Sequence, residues 1–443
     1  SDGNKSKPLY IRDSAIYKMW IDHLYKACSH WNKKVKIVDY ISRCKTTEDI
    51  DTAIDMMMEA MSWENISFDY ETNSIKCYRE GSKILSISIS NGKVAYAFPF
   101  FNDVAFRRVF KRLMTNSSKK ISHNTSFEYQ WTKMKAGFFF SNPEYDTMIM
   151  AHCINSQKPT SLKYEVYHRL GVIGYDSAAD KYIHSDPKEK EVYGDNAFNH
   201  LEDCPLVDML LYNALDSLFT YLIWEQHMQE LDDFQMMGYK FLNESQVWLT
   251  KAQIQGFCLN KERYNEVASS LENTIKELEK EVLAFPEINM CEWEDGFNPN
   301  SGPHLQKLLY EVMQIKPPSY TETGAPSVDV EALAKINIPF TNKILEMRKY
   351  QKLFGTYIHQ FGLEETDGMI HAFTYLNRVD TFRSSMGSVN VQNLPKRDPD
   401  AKKTITSLVI PRKGRKLVGY DLKGAEVSVG ACNSGDPNLI TYV

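Results

Sequence analysis

Among its 443 residues the chain has no run of 18 apolar positions, and its opening stretch, SDGNKSKPLY, holds no apolar signal core. The first absence argues against a simple membrane span and the second against ordinary secretion. Cysteine pairing signals are missing as well. The eight cysteines (Cys28, Cys44, Cys77, Cys153, Cys204, Cys258, Cys291 and Cys432) are scattered, with no C-x-x-C spacing. Reduced thiols in a cytoplasmic compartment are expected, not a zinc site or a disulfide frame. No internal repeat or low-complexity tract appears, which excludes solenoids and fibres. At 43% hydrophobic and 25% charged residues the composition is that of an ordinary globular chain. Its length suits two to four domains of about 100–200 residues each.

Positive charge is also in short supply. The net charge of −5 by itself argues against a nucleic-acid binder. Its distribution points the other way: Leu376 to Lys423 carries 11 Lys and Arg against 4 Asp and Glu. Such a strip is either a surface reserved for a polyanion or a solvated, loop-rich face, and charge alone does not choose between them.

The hydrophobic pattern divides the chain. Residues 1–45 read as a helical, aromatic-rich extension (Tyr10, Tyr17, Trp20, Tyr25, Trp31). Thr46 to Met61 predicts an amphipathic helix capped by Thr46 or Thr47 ahead of Glu48 and Asp49. An apolar step at Ile66 and Phe68 leads into Asp69-Tyr70-Glu71. The alternation ILSISIS over 84–90 predicts a half-buried strand, Asn91-Gly92 a tight hairpin, and 94–98 the returning strand. A helix at 104–114, a strand at 119–123 and a helix from Thr125 complete an α/β pattern. Residues 175–204, rich in Asp and Lys, read as a solvated loop. Apolar residues at Tyr264, Val267, Leu271, Ile275, Leu278 and Val282 predict one long helix over 260–284, with Asn260 as its cap. Helices at 329–336 and 341–361 follow a loop at 296–303, and short strands are expected at 369–376 and 416–421.

Three carboxylate segments carry candidate chemistry. On a strand, period-two geometry puts Asp69 and Glu71 on one face, where two carboxylates can share a cation; the pair alone is weak, because any exposed strand end can carry it. In His123-Asn124-Thr125-Ser126-Phe127-Glu128, helical spacing sets Asn124 and Glu128 on one face. Tyr212-Asn213-Ala214-Leu215-Asp216 repeats the i, i+4 arrangement with a phenol and a carboxylate.

In order and spacing, these segments resemble the exonuclease motifs of the DnaQ-like 3′–5′ proofreading nucleases. The resemblance implies an RNase H-like fold and phosphodiester hydrolysis with two Mg²⁺ ions per site, Mn²⁺ being able to substitute. It implies Asp69, Glu71 and Asp216 as metal ligands, Tyr212 as the residue that orients the attacking water, and Asn124 and Glu128 as the second motif. Glu128 stands where the family usually has aspartate. It is one methylene longer, and a shift of ~1 Å can cost about 10²-fold in rate.

Four further segments, Thr381-Phe382-Arg383-Ser384-Ser385, Asn390-Val391-Gln392-Asn393-Leu394-Pro395, Tyr420-Asp421-Leu422-Lys423-Gly424-Ala425-Glu426 and Ser434-Gly435-Asp436-Pro437, resemble the T-G-R-x-S-S, N-x-Q-N-[IL]-P, D-Y-S-x-[IL]-E-x-R and S-G-D-[PE] patterns of family A DNA polymerases. This is the group of bacterial DNA polymerase I and many phage replicases. FNPNSGPHLQKLL, TGAPSVD and YQKLFGTY resemble its thumb and thumb–palm junction, so the likeness runs over roughly 46–443.

The fold class implied is α/β and multidomain. An N-terminal extension at 1–45 precedes an RNase H-like exonuclease domain at 46–233, an α-helical thumb with connecting helices at 234–362 and the beginning of a palm at 363–443. Asp421, at the end of the apolar strand 416–420, is the implied palm metal ligand and catalytic carboxylate. Leu422 would add a backbone carbonyl, and Glu426 would be the steric gate at the dNTP. Arg383, Gln392 and Asn393, with Asn298 and Ser301 at the thumb tip, are the implied DNA contacts. Phe382 takes the place of the family's glycine, and Ser428 that of an arginine.

The implied partners are primer–template DNA, a single-stranded DNA 3′ end and dNTPs, at a nucleoid or phage replication site. The family continues past this motif with fingers and a second palm carboxylate, which are not found before Val443. The expectation is a fragment or one subunit of a split polymerase, completed by a second chain or a missing segment and limited on its own to exonuclease activity. The alternatives are a stand-alone exonuclease and a non-catalytic primer–template-binding subunit.

Overall fold

The computed structural model describes residues 38–394, 398–422 and 424–442, together with Ile21 and Leu24. The helical extension expected over 1–45 therefore lies largely outside the described residues. Its last two residues, Cys44 and Lys45, open β1 (Cys44–Thr46) instead.

A six-stranded sheet in the order β1-β4-β3-β2-β5-β6 organises the first half, with β2 at Asn65–Thr72, β3 at Ile84–Ser90, β4 at Ala95–Pro99, β5 at Lys119–Ser122 and β6 at Pro143–Asp146. Strands β2, β3 and β4 are antiparallel, as the hairpin signal at Asn91-Gly92 predicts, and β5, β6 and β1 add in parallel. Because Thr46 pairs with Ala97, it cannot cap α1 (Ile50–Ala60). Asp49 caps it, accepting from the Thr52 N–H at 2.8 Å.

Alternation along β2 sorts its side chains. Ile66, Phe68 and Tyr70 enter an aromatic core with Met57 of α1 and with Phe106 and Phe110 of α2 (Val104–Met114). Ser67, Asp69 and Glu71 face the other way. The same alternation in β3 was expected to leave one face in solvent, yet Ser86, Ser88 and Ser90 are fully buried. Their face is covered by α5 (Leu206–Glu230), reached after α3 (Thr125–Trp131) and α4 (Thr147–Ile154), and small hydroxyls suit that close contact. By length and composition α5 could cross a membrane, but most of its apolar stretch is buried in the protein and it serves as the core helix of this sheet.

The helix α6 (Asp233–Gln255) packs along the free edge of β6. Asn243 Nδ2 donates to the carbonyls of Pro143 and Glu144 at 2.9 and 3.1 Å, and the Tyr239 hydroxyl donates to Glu144 O at 2.9 Å. An open edge is thereby closed to other strands.

Beyond it, α7 (Lys261–Leu283) begins at Asn260, whose side chain accepts from the Arg263 N–H as a cap. It packs on α8 (Pro339–Leu353) around Leu278, Val282, Phe297, Phe340 and Met347. A second sheet, in the order β12-β7-β9-β8, joins β7 (Phe257–Leu259), β8 (Glu365–Thr366), β9 (Met369–Ile370) and β12 (Val409–Ile410). Thus β7, inside the stretch expected as thumb, pairs with strands from the stretch expected as palm. The strand expected at 369–376 is broken in two, and β10 (Phe373–Tyr375) pairs instead with β11 (Ser385–Gly387). No strand forms at 416–421; Leu417, Val418 and Tyr420 are exposed, and no described strand lies alongside to pair with them.

Deep in the first domain, Glu165 accepts from the Arg169 guanidinium and lies 3.0 Å from His227 Nε2, while Arg169 also donates to Glu230 at 2.6 Å. Burial pushes the Glu165 carboxyl up, but His227 and Arg169 outweigh it and hold the group down at about 2. A folded-state value below the ordinary 4.5 means that the stabilisation is full above pH 4.5 and is lost as pH falls toward 2. Thermal melts should therefore lose about 3 kcal/mol over that window, and Glu165→Gln should flatten the loss.

Candidate functional site

Two side chain-to-backbone and side-chain contacts fix α5 over the sheet. Ser67 Oγ donates to Ser217 O at 2.7 Å, and Asn213 Nδ2 donates to Ser86 Oγ at 3.0 Å. Ala214 packs against Ala95 and Ala97 of β4, where the lack of bulk lets helix and sheet approach. Held this way, Asp216 meets the polar face of β2. Ligand oxygens of Asp69, Glu71 and Asp216 all lie within 4.8 Å of one another, the one such group of metal-ligating side chains among the described residues.

Three carboxylates this close are poorly matched to water-free protein unless a cation joins them. Burial and then Asp216's charge push the Asp69 carboxyl well up, and burial followed by Asp69 and Asp216 does the same to Glu71. Burial raises Asp216 to about 7, with hydrogen bonding from Tyr175 and Tyr212 pulling it back. All-oxygen donors with surplus negative charge fit hard divalent cations.

Glu128 lies outside that trio. It is 1% exposed, its Oε2 has no hydrogen-bond partner, and burial followed by Asp69's charge raises its carboxyl. A buried, unpartnered polar oxygen beside Asp69 is the kind of group that calls for an explanation. Asn124 does not share a helical face with it, as the spacing had suggested. Asn124 adopts a left-handed conformation (φ 82°) before the first turn of α3. Asp146 takes over the helix start, accepting from the N–H groups of Asn124 at 3.2 Å and Thr125 at 2.8 Å.

Tyr212 stands one turn before Asp216 on α5, half-buried. A second phenol, which sequence reasoning missed, is closer: the Tyr175 hydroxyl donates to Asp216 Oδ1 at 2.6 Å. Burial and Asp216's charge push that phenol up, so it remains a donor at neutral pH. Its segment keeps Asp180, Asp186, Lys188 and Lys190 in solvent, as expected, but is also held by Lys163, which binds Asp176 and, at 2.8 Å, Asp180. Gly171 and Gly174, both at positive φ, turn the chain there, and nothing in the sequence places that turn on Asp216.

On the palm side the expected residues are scattered over an open surface. Asp421 and Leu422 are exposed, and Asp421 belongs to no metal-ligating group among the described residues. Arg383 and Glu426 form an exposed ion pair with each other. Gln392 Nε2 donates to Ser384 Oγ at 2.9 Å, and the Asn393 carbonyl accepts from the Tyr357 hydroxyl. In the loop expected as a thumb tip, Asn298 Oδ1 accepts from the Asn300 N–H at 2.9 Å and Ser301 caps a short helix at Gly302–Gln306. Phe382 is held at φ 58°, the left-handed region that glycine occupies without cost.

Comparison with known proteins fits both halves. The family described as 3′–5′ exonuclease matches residues 44–232, and DNA polymerase family A matches 261–443. Together the two family models cover most of the chain, an exonuclease-type segment followed by a polymerase-type one. It is 25% identical over 443 residues to the DNA polymerase of Escherichia phage T5, covering 96% of this chain and 51% of that one. It is likewise 25% identical over 419 residues to DNA polymerase I of Borreliella burgdorferi, covering 89% of this chain and 42% of the relative. The chain thus spans about half the length of the curated relatives it matches. Among solved structures, the POL domain of Pol1 from M. smegmatis, in complex with DNA primer-template and dNTP, shares the fold at a TM-score of 0.66 and 15% identity, over 90% of this chain and 64% of that one.

Proposed function

We propose that the first domain removes nucleotides from DNA 3′ ends, and that thumb and palm segments hold primer–template and dNTP for template-directed extension. The convergence of Asp69, Glu71 and Asp216 from a strand and a helix carries the first half of this reading. These three residues would hold two Mg²⁺ ions, with Mn²⁺ as a substitute. Two such ions ~3.5–4 Å apart stabilise the attacking and leaving oxygens of an in-line displacement.

The chain's own residues do the rest. Tyr212, beside Asp216, orients the attacking water. Glu128 contributes its unpartnered oxygen to the hydrogen bonding of that water, and Asn124 contacts the terminal nucleotide. A single-stranded 3′ end is the form that reaches this site.

For extension, Arg383, Gln392, Asn393, Asn298 and Ser301 are assigned to primer–template, and Leu422 and Glu426 to the dNTP. Phosphate contacts of this kind weaken steeply as salt rises. Asp421 is assigned to the palm metals. As it stands outside any metal-ligating group among the described residues, extension calls for a further segment or second chain that supplies fingers and another palm carboxylate. The site of action is the nucleoid or a phage replication centre.

The test is mononucleotide release from a 5′-labelled single strand. Release in Mg²⁺ or Mn²⁺ that stops in EDTA is expected; release unaffected by EDTA would rule the reading out.

A further inference from the structure

The hydrogen bond from Tyr175 to Asp216 suggests a division of labour between the two phenols on this carboxylate. Along α5, Tyr212, Asp216 and Phe219 follow at steps of four and three and so share one face. The Tyr175 ring lies against that face. Its centroid is 4.9 Å from Phe219, edge-on at 78°, and 6.1 Å from Tyr212 at an interplanar angle of 30°. Leu170, Val172 and Tyr175 pack with Val166, Leu215, Phe219 and Ile223, and on its other side the neighbouring Asp176 is tied to Lys163. The ring is thereby held against α5 and its chain neighbour is tied down, and the one hydrogen bond its hydroxyl makes among the described residues goes to Asp216 Oδ1.

A carboxylate has about four lone-pair directions on two oxygens and swings about its terminal torsion unless one is engaged. A donor at 2.6 Å stops that swing while leaving the remaining lone pairs toward Asp69 and Glu71. We propose that Tyr175 is the positioning residue of the exonuclease site: its hydroxyl holds Asp216 in the orientation that binds a divalent cation, leaving Tyr212 to act on the water. The inference rests on the site reading above.

The test uses the whole 443-residue chain and Mn²⁺ as probe, with affinity read by electron paramagnetic resonance alongside strand shortening. Outer-shell donors to metal ligands typically govern affinity by about 10–100-fold. Tyr175→Phe keeps the ring and its packing on Phe219, so the fold should melt as wild type in EDTA. Its Mn²⁺ affinity should fall about tenfold or more, and its shortening rate should recover as Mn²⁺ is raised. Tyr212→Phe, by contrast, should lower kcat with a smaller loss of Mn²⁺ affinity than Tyr175→Phe. Wild-type Mn²⁺ affinity in Tyr175→Phe, where Asp69→Ala abolishes binding, would overturn the inference and leave the site reading standing. If wild type and Asp69→Ala bind Mn²⁺ alike, the site reading fails and the inference with it.

Discussion

Replacing Asp69 with alanine is expected to slow 3′-terminal hydrolysis about 10³-fold or more, a loss of about 4 kcal/mol in transition-state stabilisation. Asp69 shares one strand face with Glu71 and meets Asp216 of the helix that covers that face, so its loss removes one of only three clustered ligands. The same change should have an opposite effect on stability. Without cations the three carboxylates sit in a site that desolvates them and, at Asp69 and Glu71, adds the repulsion of their neighbours, which pushes the carboxyls up from their ordinary values. In EDTA, Asp69→Ala should therefore melt higher than wild type, by about 2–4 °C for each kcal/mol of repulsion relieved in a domain of this size. Adding Mg²⁺ should raise the wild-type melting temperature and leave the variant's almost unmoved. Calorimetry in both conditions checks this, and a variant that melts lower in EDTA would mean that Asp69 is there for packing.

The second large effect lies at the junction between the two halves. Lys76, on the connection between β2 and β3, is 1% exposed and donates to Glu364 Oε2 at 2.6 Å and to the Ser388 carbonyl at 2.6 Å. Glu364, 4% exposed, also accepts from the Asp195 N–H at 3.0 Å and from Asn196 Nδ2 at 3.3 Å. Burial lowers the lysine and raises the glutamate in spite of their attraction, so both partners report that desolvation outweighs it. Breaking such a pair from one side leaves a buried charge and typically costs about 3–5 kcal/mol. Lys76→Met should therefore destabilise by about that amount and uncouple the exonuclease domain from the palm side, visible as a second calorimetric transition. Lys76→Met combined with Glu364→Met should recover most of the loss, because the apolar pair strands no charge. A single mutant that melts as one unit at the wild-type temperature would show that the domains are joined by apolar contacts alone.

How much of this was legible in the sequence depended on the range of the interaction. Asp69 and Glu71 could be paired because a strand repeats every two residues, and Asn260 could be read as a cap because the N–H that donates to it is three residues away. The hairpin at Asn91-Gly92 was legible for the same local reason. Thr46 was a sound cap candidate until pairing with Ala97, 51 positions on, drew it into β1. ILSISIS looked half-exposed because its serines face a helix that begins more than 100 residues later. The strand expected at 416–421 needs neighbours that its own residues cannot supply. Tyr175 and the Lys76–Glu364 pair were out of reach altogether, since each is set by a contact across the fold and neither has a periodic signature.

The most direct measurement places the purified 443-residue chain on a 5′-labelled primer–template with Mg²⁺ and all four dNTPs, beside Asp69→Ala. A descending ladder that disappears in the variant is the predicted result. A ladder that descends equally in both, or an ascending ladder from this chain alone, would contradict the assignment of catalysis to Asp69, Glu71 and Asp216 and of an incomplete metal site to Asp421.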